Sequence, residues 1–267
     1  MPFVLIDKPR PAITLITLNR PERMNAMAFD VMIPLREALE DVARDNETRV
    51  VVLTGAGHGF CSGADLEDPG IMPNIDGLTV TSIARRAMQL LDDVILAVRK
   101  MNQPVIGPIN GAAIGGGFCL SLATDVRIAS ESAYFRAAGI NNGLTASELG
   151  ISYLLPRTVG SGRAFDIMLS GRDVDAAEAE RIGLVSSVAP GAELLERCYD
   201  YAERIIGYSR VGVEITKRML WSSLDASSMV SHMQYEGLAQ LYVRLTTQNF
   251  EEAVRARKQK RTPEFRD

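Results

Sequence analysis

Two glycine-rich turns contain the residues with the clearest chemical potential in this sequence. The first occupies residues 54–66 and the second residues 110–120, and each follows an apolar run. The second turn contains three successive glycines, Gly115, Gly116 and Gly117, which leave backbone N–H groups uncovered by side chains. A helix that starts here would add partial positive charge. The glycines alone predict either an oxyanion-binding site or a packing corner without side chains, and they favour neither.

Two nucleotide-binding motifs are excluded at these turns. A dinucleotide fingerprint, G-x-G-x-x-G, starting at Gly55 would require a glycine where Phe60 stands. A phosphate-binding P-loop requires Gly-Lys-Ser/Thr, which neither turn contains.

Other reactive side chains are sparse. The two histidines, His58 and His232, are too few for a histidine-rich metal site, so no metal is expected. The three cysteines, Cys61, Cys119 and Cys198, form no C-x-x-C pair, which indicates a reducing compartment rather than a disulfide framework. Cys119 could be a nucleophile, but a cysteine within an apolar helix is typically buried and inert.

The elements around these turns follow from hydrophobic periodicity and from turn residues. The run 13–18 predicts a strand, and the continuous apolar run 50–54 suits a sheet covered on both faces. Helical spacing predicts helices at 29–44 and 83–98, with a loop at 68–79. Further strands are expected at 4–6, 104–109, 125–129 and 184–188, and further helices at 163–169, 175–182, 193–206, 211–221, 227–248 and 250–260. These elements predict an α/β core over residues 1–190, followed by a helical region over residues 191–267.

Bulk properties exclude several classes of protein. The chain has 267 residues, of which 46% are hydrophobic and 23% charged, as in an ordinary globular protein. A net charge of −4 gives no reason to expect a nucleic-acid partner. The uncharged stretch 101–124 is long enough to span a bilayer, but its prolines and glycines indicate a buried strand, a tight turn and a helix start instead. Because the first residues also lack a secretory signal pattern, we expect a cytoplasmic protein without a membrane span.

The order of several short motifs resembles the crotonase (enoyl-CoA hydratase/isomerase) superfamily along nearly the whole chain. The motifs that carry the resemblance are Asn19-Arg20-Pro21, Asn25-Ala26, Phe60-Cys61-Ser62-Gly63-Ala64-Asp65-Leu66, Asn110-Gly111, Gly115-Gly116-Gly117, Leu155-Pro156-Arg157, Ser170-Gly171-Arg172, Gly183-Leu184-Val185 and Lys260-Arg261. Each motif is short, and it is their joint order and spacing that make the resemblance specific.

The resemblance implies a fold, a substrate and a set of site residues. The fold would be a spiral of ββα units with a C-terminal helical region that forms homotrimers, often paired into hexamers, and covers the active site. The N–H groups of Ala64 and Gly116 would bind the carbonyl oxygen of an acyl-CoA thioester, whose CoA is part of the substrate rather than a separate cofactor. The residues expected to contact CoA are Arg23, Met24, Ser62, Gly63, Ala64, Asp65, Leu66, Gly115 and Lys260.

The sequence departs from the family pattern at the two glutamates that hydratases use. The corresponding positions hold Cys119 and Gly139, neither of which can act as a carboxylate base. Glu148 is the remaining nearby carboxylate, and a single base can move a proton between two carbons. The alternative interpretation of Glu148 is a helix-start glutamate with Ser147 as the N-cap.

These residues favour a fatty-acid or related acyl-CoA enzyme with isomerase rather than hydratase (lyase) chemistry. Two alternatives remain open from the sequence. One is a non-catalytic protein that binds acyl-CoA on the same scaffold. The other is an interaction protein in which the oxyanion-binding turns are vestigial.

Overall fold

The structure, a computed structural model, describes residues 2–266 and contains two β-sheets and ten helices in that range. The strands are β1 (Val4–Arg10), β2 (Ile13–Leu18), β3 (Val50–Gly55), β4 (Gly59–Cys61), β5 (Val105–Ile109), β6 (Ala112–Ile114), β7 (Val126–Ser130), β8 (Tyr134–Arg136), β9 (Val174–Asp175) and β10 (Ser187–Ala189). The helices are α1 (Phe29–Arg44), α2 (Val80–Lys100), α3 (Gly116–Ala123), α4 (Ile151–Val159), α5 (Ser161–Ser170), α6 (Ala176–Arg181), α7 (Leu194–Ile206), α8 (Arg210–Ser223), α9 (Met229–Thr246) and α10 (Asn249–Gln259).

The chain alternates between the two sheets. The larger sheet has the order β1-β2-β3-β5-β7-β10, and the smaller has the order β4-β6-β8-β9. Strands β3, β5 and β7 of the larger sheet are each followed by one strand of the smaller sheet and then by a helix. Neighbouring turns of this path pair in parallel in both sheets. The result is the predicted spiral of ββα units.

Both faces of the larger sheet are buried. The six residues of β3 are all buried, as the continuous apolar run predicted. On one face, α1 packs its apolar stripe, which includes Val31, Leu35 and Leu39, into the main core. On the other face, α7 contributes Leu194, Cys198 and Ala202. The strands therefore end at fixed positions between two packed layers, and the turns that follow them are held in register.

The sequence predictions differ from the structure mainly at short elements. Strands β4, β6, β8 and β9 have two or three residues each, too few for a periodic signal. Helix α4 was not predicted because Pro156 lies inside it. The strand expected at 184–188 is instead β10, three residues long and further along the chain. The uncharged stretch 101–124 forms β5, β6 and α3, which confirms the strand, turn and helix start expected there.

Helices α8, α9 and α10 complete the chain. Helix α9 has 18 residues, none of which is buried, although many are large and apolar. Within residues 2–266, no helix combines the length and the apolar character needed to cross a bilayer. The proposed division of the chain at residue 190 stays a prediction.

Candidate active site

The two glycine-rich turns lie against each other. Parallel pairing of β4 with β6 places Gly63, which follows β4, beside the start of α3. Gly63 has φ +82°, and a Cβ at this position would lie 2.6 Å from the Ile114 carbonyl oxygen and 3.3 Å from the Gly116 nitrogen. Glycine is therefore required here by both the backbone conformation and the close approach.

Two backbone N–H groups at this contact have no acceptor within the part of the chain that the structure describes. Ala64 pairs with Met27 in an isolated parallel bridge, in which the Met27 N–H donates to Gly63 O at 2.7 Å and the Asp65 N–H donates to Met27 O at 3.2 Å. In this pattern the N–H of Ala64 itself points away from Met27. Gly116 is the first residue of α3, where an N–H has no acceptor within the helix. Among residues 2–266, neither N–H is hydrogen-bonded.

Two asparagine side chains hold the first turn in place. The Asn25 amide donates to the carbonyls of Ala56 and Gly59, and its oxygen accepts the Arg20 N–H. The Asn110 amide donates to Gly59 O at 3.1 Å and to Gly57 O at 3.0 Å. Both asparagines thus bind the carbonyl of Gly59, where β4 begins. They fix the strand that leads to Ala64.

A buried ion-pair network anchors the residue after Ala64. The Asp65 carboxylate accepts from Arg20 at 2.8 Å, from Arg23, and from the backbone N–H groups of Glu67 and Asp68. Its side chain is 1% exposed, and these donors, Arg23 first, hold the pKa of Asp65 well below its usual range. The Asp65 carboxylate is therefore engaged inside the protein and orients the loop that carries the Ala64 N–H.

The other residues expected to contact CoA fall into two groups. Met24 and Leu66 are exposed near the first turn, and Ser62 donates from Oγ to the Arg23 carbonyl at 3.3 Å. Lys260, by contrast, is an exposed residue that follows α10 with φ +52°. No hydrogen bond or ion pair within residues 2–266 joins Lys260 to the two turns.

Glu148 lies beside the second turn. A Cβ built on Gly115 would lie 3.4 Å from Glu148 Oε1, so the carboxylate is next to the residue that precedes Gly116. The side chain is half-buried, and this burial raises the pKa of Glu148 above its ordinary value. Helix α4 begins later, at Ile151, with Gly150 as its N-cap. The interpretation of Glu148 as a helix-start residue capped by Ser147 is therefore wrong.

The two positions that depart from the hydratase pattern are closed to carboxylate chemistry. Cys119 is fully buried, and burial, together with the nearby negative charge of Glu148, raises the pKa of its thiol well above the usual value. It is not an activated nucleophile. At Gly139 a Cβ would lie 2.1 Å from the Thr145 carbonyl oxygen, so backbone fills the space of any side chain there.

Several of these features were not visible in the sequence. The pairing of Arg20 with Asp65 spans 45 residues, and the only sequence signal was the presence of both in family-like motifs. The obstruction of Gly139 by Thr145 depends on the path of an irregular loop, for which the sequence gives no signal.

The fold and the paired turns together define a crotonase-type acyl-CoA protein, and comparison with known proteins agrees. The sequence model of the enoyl-CoA hydratase/isomerase family matches residues 9–267. The chain belongs to this family.

Particular relatives are close in sequence and in structure. A Mycobacterium tuberculosis protein named "Probable enoyl-CoA hydratase EchA12" is 65% identical over 265 residues, which cover 99% of this chain and 93% of that protein. The crystal structure of a Mycobacterium abscessus protein described as a "probable enoyl-CoA hydratase/isomerase" has 67% identity and a TM-score of 0.95, covering 99% of this chain and 98% of that one. A structure described as a monofunctional enoyl CoA isomerase from M. smegmatis has 59% identity and a TM-score of 0.76, covering 88% of this chain and 99% of that one.

Proposed function

We propose that this protein is an enoyl-CoA isomerase that uses Glu148 as its single acid/base group. The thioester carbonyl of the substrate is held by the N–H groups of Ala64 and Gly116. The observation that carries the proposal is the position of a partly buried carboxylate beside Gly115. It lies next to the turn that carries one of the two N–H groups for which residues 2–266 provide no acceptor.

The reaction needs one base and one oxyanion site. The Glu148 carboxylate removes a proton from the α-carbon of a 3-enoyl-CoA, and the electron pair moves into the thioester carbonyl to give a dienolate. The two N–H groups stabilise the negative oxygen, and each such donor is worth about 3–4 kcal/mol in comparable enzymes. Glu148 then returns the same proton to the γ-carbon, which leaves the double bond at the 2-position.

Hydration is disfavoured because it requires a second group to activate water. The family positions for such a group hold Cys119, whose thiol is kept protonated by burial, and Gly139, which the Thr145 carbonyl covers. The burial of Glu148 also supports the isomerase role, because a raised pKa makes the carboxylate a stronger base toward the α-carbon and brings its pKa closer to the pH at which an enzyme works.

We extend the proposal to the CoA moiety of the substrate. Arg23, Met24, the segment 62–66 and Gly115 would line the pantetheine, with Lys260 near the nucleotide end. The Arg23 guanidinium already binds Asp65 and Glu67, so its contribution would come from its backbone and side-chain stem. The chemistry needs no cofactor beyond the CoA of the substrate, and a cytoplasmic location suits the three unpaired buried thiols.

We also propose that the chain forms a homotrimer, or a hexamer of two trimers, through its C-terminal helices. Helix α9 exposes apolar side chains that water would otherwise contact, including Met229, Leu238, Leu241 and Leu245. Light scattering after size exclusion tests this directly. A trimer or hexamer mass supports the proposal, and a monomer at micromolar concentration contradicts it.

The experiment that tests the function compares Glu148→Gln with Glu131→Gln, a change at an exposed glutamate outside the site. Turnover of a 3-enoyl-CoA by Glu148→Gln should fall by about 10²–10⁴-fold, the usual contribution of a general base. Glu131→Gln should retain wild-type turnover. Wild-type hydration of crotonyl-CoA should be much slower than isomerisation.

Three other outcomes would overturn the proposal. Unchanged turnover in Glu148→Gln removes this residue from the mechanism. Binding of acyl-CoA by the wild type in titration calorimetry, without turnover of any enoyl substrate, would indicate a non-catalytic binding protein. No binding of any acyl-CoA would indicate that the two turns are vestigial.

A further inference from the structure

We infer that Cys119 is a positioning residue that holds the proposed base, Glu148, through a contact between the Cys119 sulfur and the backbone carbonyl of Glu148. This inference rests on the proposed function, because it assigns Cys119 a role only in relation to Glu148.

The start of α3 lies next to both the backbone and the carboxylate of Glu148. The Cys119 Sγ lies 3.5 Å from Glu148 O, within the range of an S–H···O hydrogen bond. The Cys119 N–H donates to Gly115 O at 3.1 Å, which closes the first turn of the helix. Gly115 in turn borders the Glu148 carboxylate. The helix that presents the Gly116 N–H therefore also fixes the distance from this N–H to Glu148.

The Glu148 segment needs such support because its local backbone is unfavourable. Leu149 has φ +47° and Gly150 has φ +83°, so two successive residues are left-handed directly after Glu148. A residue with a Cβ adopts this conformation only when surrounding contacts hold it there. The Glu148 carbonyl accepts the Ile151 N–H at 2.9 Å as well as the Cys119 contact. Within residues 2–266, no hydrogen bond or ion pair reaches the Glu148 carboxylate itself, so its position depends on this backbone.

The chemistry of Cys119 suits a permanent donor. The side chain is completely buried, and burial raises the pKa of the thiol well above its usual value. The sulfur therefore keeps its proton throughout the pH range in which the enzyme would work.

The test compares three variants for isomerisation of a 3-enoyl-CoA: Cys119→Ala, Cys119→Ser and Cys198→Ala. Cys198 is equally buried but belongs to α7 and packs into the separate core on the other face of the sheet, so it controls for loss of packing. Cys119→Ala should lower kcat by about tenfold with little change in KM, because small displacements of a reacting group are costly. Cys119→Ser, which retains a donor, should recover most of this loss. Cys198→Ala should keep wild-type kcat.

The pH profile of kcat separates positioning from a purely structural effect. In Cys119→Ala a loosened Glu148 is better solvated, so the acidic-limb pKa should move down toward the ordinary glutamate value. A wild-type kcat in Cys119→Ala overturns the inference. So does a lowered kcat in Cys119→Ala if Cys119→Ser does not recover it and the pKa of the acidic limb of the pH profile does not change. If Glu148→Gln itself is fully active, the proposed function fails first. If Glu148→Gln is inactive while Cys119→Ala behaves as wild type, only this inference fails.

Discussion

Replacing Gly63 by alanine should separate the two turns on which the proposed site depends. An alanine with φ near +82° costs about 1–2 kcal/mol in backbone free energy. Its Cβ would also lie 2.6 Å from the Ile114 carbonyl, which belongs to β6 and cannot move away as a flexible side chain could. Overpacking of this kind adds about 1–3 kcal/mol. The expected loss of unfolding free energy is thus about 2–5 kcal/mol.

Gly183→Ala is the matched control for backbone strain. Gly183 has φ +77°, close to that of Gly63, but a Cβ there would have no heavy atom of residues 2–266 within 4 Å. This variant should lose only about 1–2 kcal/mol. Calorimetric unfolding should therefore show a larger fall in Tm for Gly63→Ala, at roughly 2–4 °C per kcal/mol for a chain of this size.

The activity of the two variants should differ more than their stability. Displacing the Gly116 and Ala64 N–H groups relative to each other removes about one oxyanion donor, so kcat of Gly63→Ala should fall by about 10²–10³-fold at a temperature where it is folded. Gly183→Ala should keep wild-type kcat. A folded Gly63→Ala variant with kcat within about threefold of wild type would refute the reasoning, because losing one oxyanion donor should lower kcat far more than that.

Three further predictions concern Glu148 and Gly139. The base must be deprotonated, and burial raises the pKa of Glu148. On acidification, kcat should therefore start to fall at a pH above the ordinary glutamate pKa. A pH profile of kcat whose acidic limb lies at or below that pKa would contradict this. The folded state binds the Glu148 proton more tightly than the unfolded state, so the charged carboxylate lowers stability at neutral pH. Glu148→Gln should therefore raise Tm at pH 7, with a gain that shrinks as the pH falls through the raised pKa and vanishes below the ordinary glutamate pKa. A lower Tm at pH 7 would contradict this. Gly139→Glu should destabilise the protein by about 1–3 kcal/mol and create no hydratase activity, because backbone fills the space of its side chain. The control Gly162→Ala, at a position with open surroundings, should be tolerated. A stable Gly139→Glu variant that hydrates crotonyl-CoA would contradict this prediction.

The parts of the fold that the sequence predicted are those with a strong local signal. The apolar run of β3 and the helical stripe of α1 depend on residues that are near each other in the chain, and both were found where expected. The three-residue strands β4, β6 and β8 were missed because they form through pairing with distant strands rather than through their own composition.

In the candidate site, too, the features with a local sequence signal were predicted, and those that depend on distant contacts were not. The glycines at 63 and 115–117 could be identified because close backbone approach demands this residue type. The placement of Glu148 beside Gly115 depends on the left-handed pair Leu149 and Gly150, and a leucine in this conformation has no sequence signature. The ion pairs of Asp65 likewise join segments more than 40 residues apart, which the order of motifs cannot specify.

A crystal structure of the Glu148→Gln variant with a bound 3-enoyl-CoA gives the most direct test. We predict that the thioester oxygen lies about 2.7–3.1 Å from the nitrogens of both Ala64 and Gly116. We also predict that the side chain of residue 148 faces the α- and γ-carbons of the acyl group. A thioester bound elsewhere, or an amide that points away from its oxygen, would contradict the assignment.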